Sequence, residues 1–287
     1  MTKIAFLGTG LMGGPMARHL AKDYTVTVWN RSIDKAQALA DVAKVAHSPV
    51  EAAKDADIVI SMLIDGPASR AVLKDGGTIE AAAAGALIIN MASVEPDCDR
   101  ALERFAKSLG KRMIDAPVSG GTKGAVERTL SIFVGGTPDD FASAKPVLEK
   151  LGRPTHMGAI GTGQTAKLAN QLIVAITIGA VAEAFTLAQS AGCDIGTLRE
   201  ALRGGFADSR ILDLHGARMV RSDFTPGGRS VAQLKDLNNA LTVASESQLT
   251  LPLSEQVRSS FDDLVNNKGG AELDHAAYFL WLKQIQN

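Results

Sequence analysis

The chain has 287 residues, 46% of them hydrophobic and 21% charged, with a formal net charge of −1. This is the composition of an ordinary soluble globular protein, and the length suits two domains. The near-neutral balance supplies no broad basic field for nucleic acid or an anionic membrane, so any anion site must be local.

In chain order, strand-like runs lie at residues 3–8, 24–30, 57–63, 86–90 and 111–117, with helix-like segments between them at 11–22, 33–41, 49–54, 67–74 and 96–109. Ser48 followed by Pro49 is the pattern of an N-cap with proline at the first helical position. Residues 129–136 predict one more strand and 138–152 one more helix. Short apolar strands separated by amphipathic helices imply a parallel sheet covered on both faces. After about residue 160 the strand signals stop. Residues 163–191 predict one long helix ended by Gly192, and further helices follow near 194–203, 209–221, 229–248, 252–267 and 274–284.

Two segments imitate membrane signals. Residues 1–17 have a basic residue, an apolar run and small residues, but GTGLMGGPM breaks the apolar core and a strand-like segment follows. Residues 172–182 are apolar but short for a bilayer, and Glu183 ends the run. The two cysteines, Cys98 and Cys193, form no CxxC pair, and the five histidines show no metal-ligand spacing. A cytoplasmic protein in a reducing compartment, without a bound metal, is expected.

Gly8, Gly10 and Gly13 form GxGxxG directly after the first strand, with Leu11 and Met12 inside the motif. Glycines there permit a tight turn, close backbone approach to a pyrophosphate and close helix–strand packing. The helix N-terminus that follows offers unpaired N–H groups to phosphate. The expectation is an α/β Rossmann-type N-terminal domain, residues 1–162, followed by an all-α C-terminal domain, 163–287, joined through the long helix. At the end of the second strand, where NAD sites usually carry an acid, stand Asn30, Arg31 and Ser32. Arg31 can pair with a 2′-phosphate and stack on adenine, so NADP is expected over NAD.

Ser119, Gly120 and Gly121 follow a later strand in DAPVSGG. Their backbone N–H groups can hold a carboxylate, or the glycines can simply turn the chain into its next element. Lys167 is the only formally charged side chain between Pro154 and Ala182, taking His156 as neutral. Lysine is rarely buried without a partner. With Asn170 at i+3 and Gln171 at i+4 on the same helix face, it reads as a functional group; the other reading is a stem that snorkels to solvent.

Taken together, GTGLMGG, NRS, DAPVSGG and GTGQTAKLANQ resemble the β-hydroxyacid dehydrogenase family over essentially the whole chain, including KDL at 235–237 and LDHAA at 273–277. The resemblance implies that Lys167 is the catalytic lysine, oriented by Asn170 and Gln171. Many relatives carry Asn at the position of Gln171. It implies that Ser119, Gly120 and Gly121 hold a substrate carboxylate, and that Leu63, Ser93 and Lys235 contact the cofactor. Ile64 replaces a proline that often follows that leucine. Residues 202–219 look most like the tartronate semialdehyde reductase branch. The implied activity is NADPH-dependent reduction of a short carboxylated semialdehyde by a homodimer or homotetramer. The alternatives are 3-hydroxyisobutyrate or succinic semialdehyde chemistry, and an NADP-binding module without catalysis.

Overall fold

The computed structural model describes residues 1–286 and divides the chain into two compact units, Met1–Lys167 and the chain from Leu168 onward. The first unit is built on a nine-stranded sheet among the described residues. In chain order its strands are β1 (Lys3–Leu7), β2 (Thr25–Trp29), β3 (Lys44–Val45), β4 (Ile58–Ser61), β5 (Leu87–Asn90), β6 (Arg112–Asp115), β7 (Val118–Ser119), β8 (Leu130–Gly135) and β9 (Gly152–Gly158). Their spatial order is β3-β2-β1-β4-β5-β6-β8-β7, with β9 paired to β8. The first six strands run parallel, and the order reverses between β1 and β4. Ligands of open α/β sheets bind at such a reversal, beyond the carboxyl ends of the strands.

Burial on both faces explains why these strands read as apolar runs. In β1, Ile4 and Phe6 pack into one core with Met16, Leu20, Val28 and Ile60, while Ala5 and Leu7 pack into a second core with Val59, Ile79 and Ile88. The Ser48 hydroxyl accepts the backbone N–H of Glu51, and the Glu51 carboxylate accepts that of His47. The first bond is the N-cap of the Pro49–Ala53 helix, and the second ties the residue before the cap to the same turn.

The sheet departs from the expected pattern at its later edge. β8 runs antiparallel to β6 and β7, and neither β7 nor the two-residue β3 has a readable side-chain pattern. β9 has no counterpart among the expected strands. Its sequence, GRPTHMG, alternates half-buried and exposed positions without an apolar face, because it joins through its backbone register with β8.

The second unit is helical. It holds most of the Thr162–Ser190 helix, then helices at Ile195–Leu202, Ala217–Arg221, Ser230–Glu246, Pro252–Asn266 and Tyr278–Gln284. A π-helical turn at Leu212–Gly216 interrupts the single helix expected over 209–221. The core gathers Phe185, Leu237, Phe261, Tyr278 and Phe279, with Phe185 and Phe279 edge to face at 6.5 Å. The 29-residue Thr162–Ser190 helix is long and apolar enough to cross a membrane. Ala175, Ile178, Ala182 and Phe185 on it are buried in this core, while Ile173 and Leu187 are exposed.

Candidate functional site

The glycine turn after β1 is built as its spacing requires. Gly8 has φ +97°, and a Cβ there would collide with the Met62 carbonyl oxygen. A Cβ on Gly13 would collide with the Gly8 carbonyl oxygen, so the helix Gly13–Leu20 starts hard against the turn. Gly10 faces open space, with nothing within 4 Å of a Cβ placed on it. No acidic residue stands in the helix's first turn, and its N-cap Met12 makes no side-chain bond. The Thr9 hydroxyl oxygen is buried without a partner beside this turn. Open backbone, an uncapped helix start and an unpaired hydroxyl fit an incoming pyrophosphate.

Asn30 bridges the turn to the end of β2. Its Oδ1 accepts the Thr9 backbone N–H at 3.0 Å, and its Nδ2 donates to the Ser32 carbonyl at 3.0 Å. Asn30 thus shapes the loop, leaving Arg31 and Ser32 exposed. Leu11 is 78% exposed at the turn. Leu63, beyond β4, packs partly into the second core beside Gly8. Ser93 is half-buried in the loop after β5.

Ser119 ends β7, opposite Ser131 of β8. Gly120 has φ +135°, a conformation that needs glycine, and Gly121 has φ +62°, in the left-handed region that favours it. A Cβ on Gly121 would meet nothing within 4 Å, so the turn is open to solvent there.

Lys167 is 9% exposed and lies in the second turn of its helix. The start of that helix is held from below. Asp115, the last residue of β6, accepts the backbone N–H groups of Gly161 and Gln164 at 2.7 Å each. Burial pushes the Asp115 carboxyl above the ordinary carboxylate range, against those two N–H groups.

Further along the helix, in the second unit, Asn170 Nδ2 donates to Gln171 Oε1 at 2.9 Å. Gln171 Nε2 donates to Asp236 Oδ2 at 2.8 Å, and Gln233 Nε2 donates to the Gln171 carbonyl at 3.2 Å. Asp236 also pairs with Lys235 at 3.3 Å. Gln171 is therefore tied to the Ser230–Glu246 helix, with Asn170 hydrogen-bonded to it.

Sequence reasoning missed a set of buried polar side chains beneath the Ser93 loop: Ser61, Asn90, Asp99 and Gln164, together with Asp115. One signal was present. Asp99 shares the buried stripe of the Pro96–Ser108 helix with Leu102 and Ala106, at the i, i+3 and i+7 positions.

Comparison with known proteins agrees with this architecture. Residues 3–163 match the family model described as the NAD binding domain of 6-phosphogluconate dehydrogenase. Residues 161–282 match the model described as NAD-binding of NADP-dependent 3-hydroxyisobutyrate dehydrogenase. The chain is 41% identical to 2-hydroxy-3-oxopropionate reductase of Escherichia coli (strain K12), covering 99% of this chain and 98% of that protein. It is 36% identical to 3-hydroxyisobutyrate dehydrogenase of Pseudomonas aeruginosa, covering 91% of each. The solved structure of Mycobacterium tuberculosis 3-hydroxyisobutyrate dehydrogenase with L-serine superposes with a TM-score of 0.90 at 32% identity, over 99% of both chains. The chain belongs to the 3-hydroxyisobutyrate dehydrogenase-like, β-hydroxyacid dehydrogenase family of NAD(P)-dependent oxidoreductases acting on CH–OH groups.

Proposed function

We propose that the protein reduces a short carboxylated semialdehyde with NADPH, tartronate semialdehyde (2-hydroxy-3-oxopropionate) first among them. The observation that carries this is a lysine, Lys167, buried one turn after a helix start fastened to the strand that leads into DAPVSGG. The end-to-end identity with the E. coli 2-hydroxy-3-oxopropionate reductase supports the choice of substrate.

When bound, the reduced nicotinamide supplies the hydride. The chain's own residues do the rest. The Ser119 hydroxyl and the backbone N–H groups at Gly120 and Gly121 hold the substrate carboxylate and so set the distance to the reacting carbon. Lys167, as ammonium, donates a proton from Nζ to the aldehyde oxygen; in the reverse direction the amine takes the hydroxyl proton. Such acid–base help is typically worth about 10²–10⁴-fold in rate, and the positive charge also stabilises the alkoxide as it develops. Asn170 and Gln171 orient Lys167 from the next turn.

On the cofactor side, Gly8, Gly10, Leu11, Met12 and Gly13 receive the pyrophosphate, and Leu63, Ser93 and Lys235 contact the cofactor. Arg31 pairs with the 2′-phosphate, with Ser32 beside it, and Asn30 holds their loop. Preference for NADP rests on the exposed Arg31 and on Asn30 standing where an acid would repel that phosphate.

The names of the P. aeruginosa and M. tuberculosis relatives favour a second substrate, 3-hydroxyisobutyrate. We further propose a cytoplasmic homodimer or homotetramer, supported by the exposed apolar side chains Ile173 and Leu187; a monomeric mass in light scattering would contradict it. The test of function is steady-state reduction of a semialdehyde panel with NADPH and NADH side by side. NADPH-dependent turnover of tartronate semialdehyde supports the proposal. Binding of NADPH without turnover on any member points to a non-catalytic module.

A further inference from the structure

Among the fully buried polar side chains of the first unit, Ser61, Asn90, Asp99, Asp115 and Gln164 are linked by hydrogen bonds. Their bonds allow one arrangement. Asn90 Oδ1 accepts the Ser61 hydroxyl at 2.8 Å and the Ala92 backbone N–H at 3.3 Å, so its Nδ2 must face Asp99 Oδ1, at 2.7 Å. Gln164 Oε1 accepts the Val94 backbone N–H at 3.2 Å, so its Nε2 must point the other way. There it donates to the Ala92 carbonyl at 2.8 Å and to Asp99 Oδ2 at 2.8 Å. Both amides are oriented by backbone groups, and both end on the two oxygens of one carboxylate.

The two arms meet the chain at informative places. Between them they hold the backbone of Ala92 and Val94, the residues on either side of Ser93. One arm, Gln164, is i−3 to Lys167 on the same helix face. An apolar residue at 99 would leave one N–H of each buried amide without its acceptor, which is costly, although Gln164 Nε2 would keep the Ala92 carbonyl. The same contacts are not needed to close the hydrophobic core, since Leu102 and Ala106 already bury that face of the helix.

We propose that Asp99 is a positioning residue for the reaction. Through Asn90 and Gln164 it fixes the Ser93 loop in register with the turn that carries Lys167. The inference rests on the assignment of Lys167 as the proton donor and adds the residue that aligns it with the cofactor loop.

Two variants test it. Asp99→Asn keeps the shape but turns one amide group against the donor of Asn90. The double variant Asn90→Asp with Asp99→Asn exchanges donor and acceptor. The carboxylate introduced at position 90 still accepts from Ser61 and Ala92, and the amide introduced at position 99 donates to it and accepts from Gln164. Each folded protein is assayed for turnover and for NADPH dissociation constant, the latter by quenching of tryptophan fluorescence. Asp99→Asn is expected to lose turnover by up to about 100-fold, as misplacement far from the chemistry can. Its NADPH Kd should rise about threefold to tenfold, roughly one hydrogen bond's net worth. The exchange should recover both to near wild type. Wild-type values in Asp99→Asn would overturn the inference. So would an exchange variant that is unfolded, or no better than the single one; if the single variant does not fold, the exchange decides alone. Lys167→Ala in the same assay separates the two claims. Its retained turnover would defeat the lysine assignment, whereas lost turnover there with an unaffected Asp99→Asn defeats only the positioning role.

Discussion

The carboxylate of Asp115 accepts the backbone N–H of Gln164 at 2.7 Å, so the end of β6 holds the first turn of the helix that carries Lys167 one turn later. Its other oxygen takes the N–H of Gly161. Asp115→Ala therefore removes the acceptor for two buried donors. Loss of a cap of this kind costs about 0.5–2 kcal/mol, and an orphaned buried N–H adds about 1–3 kcal/mol. Urea unfolding at neutral pH should show a lower midpoint, and turnover should fall with it. An unchanged midpoint would show that the helix start is held by other contacts.

Two glycines of the same motif should behave in opposite ways. Gly10→Ala adds a methyl to open space, so thermal stability should hold while NADPH affinity falls, because the methyl occupies the path of the phosphate. Gly13→Ala sets a methyl against the Gly8 carbonyl, and overpacking of this kind costs about 1–3 kcal/mol. Thermal melting paired with a binding titration distinguishes them. Full NADPH affinity in Gly10→Ala would remove the turn from the cofactor site.

Arg31→Ala should erode preference rather than activity. A hydrogen bond to a charged group is worth about 1.5–3 kcal/mol, so kcat/KM with NADPH should fall by about 10- to 100-fold. With NADH it should change little. Equal losses with both cofactors would mean that Arg31 does not read the 2′-phosphate.

The contribution of Asp99 to stability should fall as pH rises out of the acid range. Burial pushes its carboxyl well above the ordinary range, with Asp115 adding to the shift. Glu95 repels it too, while hydrogen bonds from Asn90 and Gln164 oppose the shift. Between the unfolded value of about 4 and the raised folded value, the folded state holds more protons than the unfolded chain. Asp99 thus contributes stability at low pH that is lost as pH climbs through its folded pKa. Asp115 acts in the same direction. In urea titrations the stability of Asp99→Asn relative to wild type should rise with pH across this window. Parallel curves would mean that Asp99 ionises at an ordinary pH.

Much of this was legible in the sequence, for identifiable reasons. The glycine spacing is forced by collisions at Gly8 and Gly13, so it survives as a pattern. The strands β1, β4 and β5 are buried on both faces and stand out as apolar runs. β9 is held by backbone pairing and offers no such run. Burial of a lysine is by itself a weak signal of function. Lys111 is 7% exposed, yet its ammonium is satisfied by the carbonyls of Ala82 and Ala83 at 2.6 and 3.2 Å, a structural duty. What sets Lys167 apart is its setting, one turn after Gln164 and Asp115's bond to it. That bond joins residues 49 positions apart, a distance no local motif reports.

The most direct measurement compares wild type with Lys167→Ala in NADPH oxidation by tartronate semialdehyde, alongside NADPH binding to each. Wild type should turn over, and the variant should bind NADPH normally while losing turnover by about 10²–10⁴-fold. Near-normal turnover in Lys167→Ala would contradict the assignment of Lys167 as the group that moves the proton.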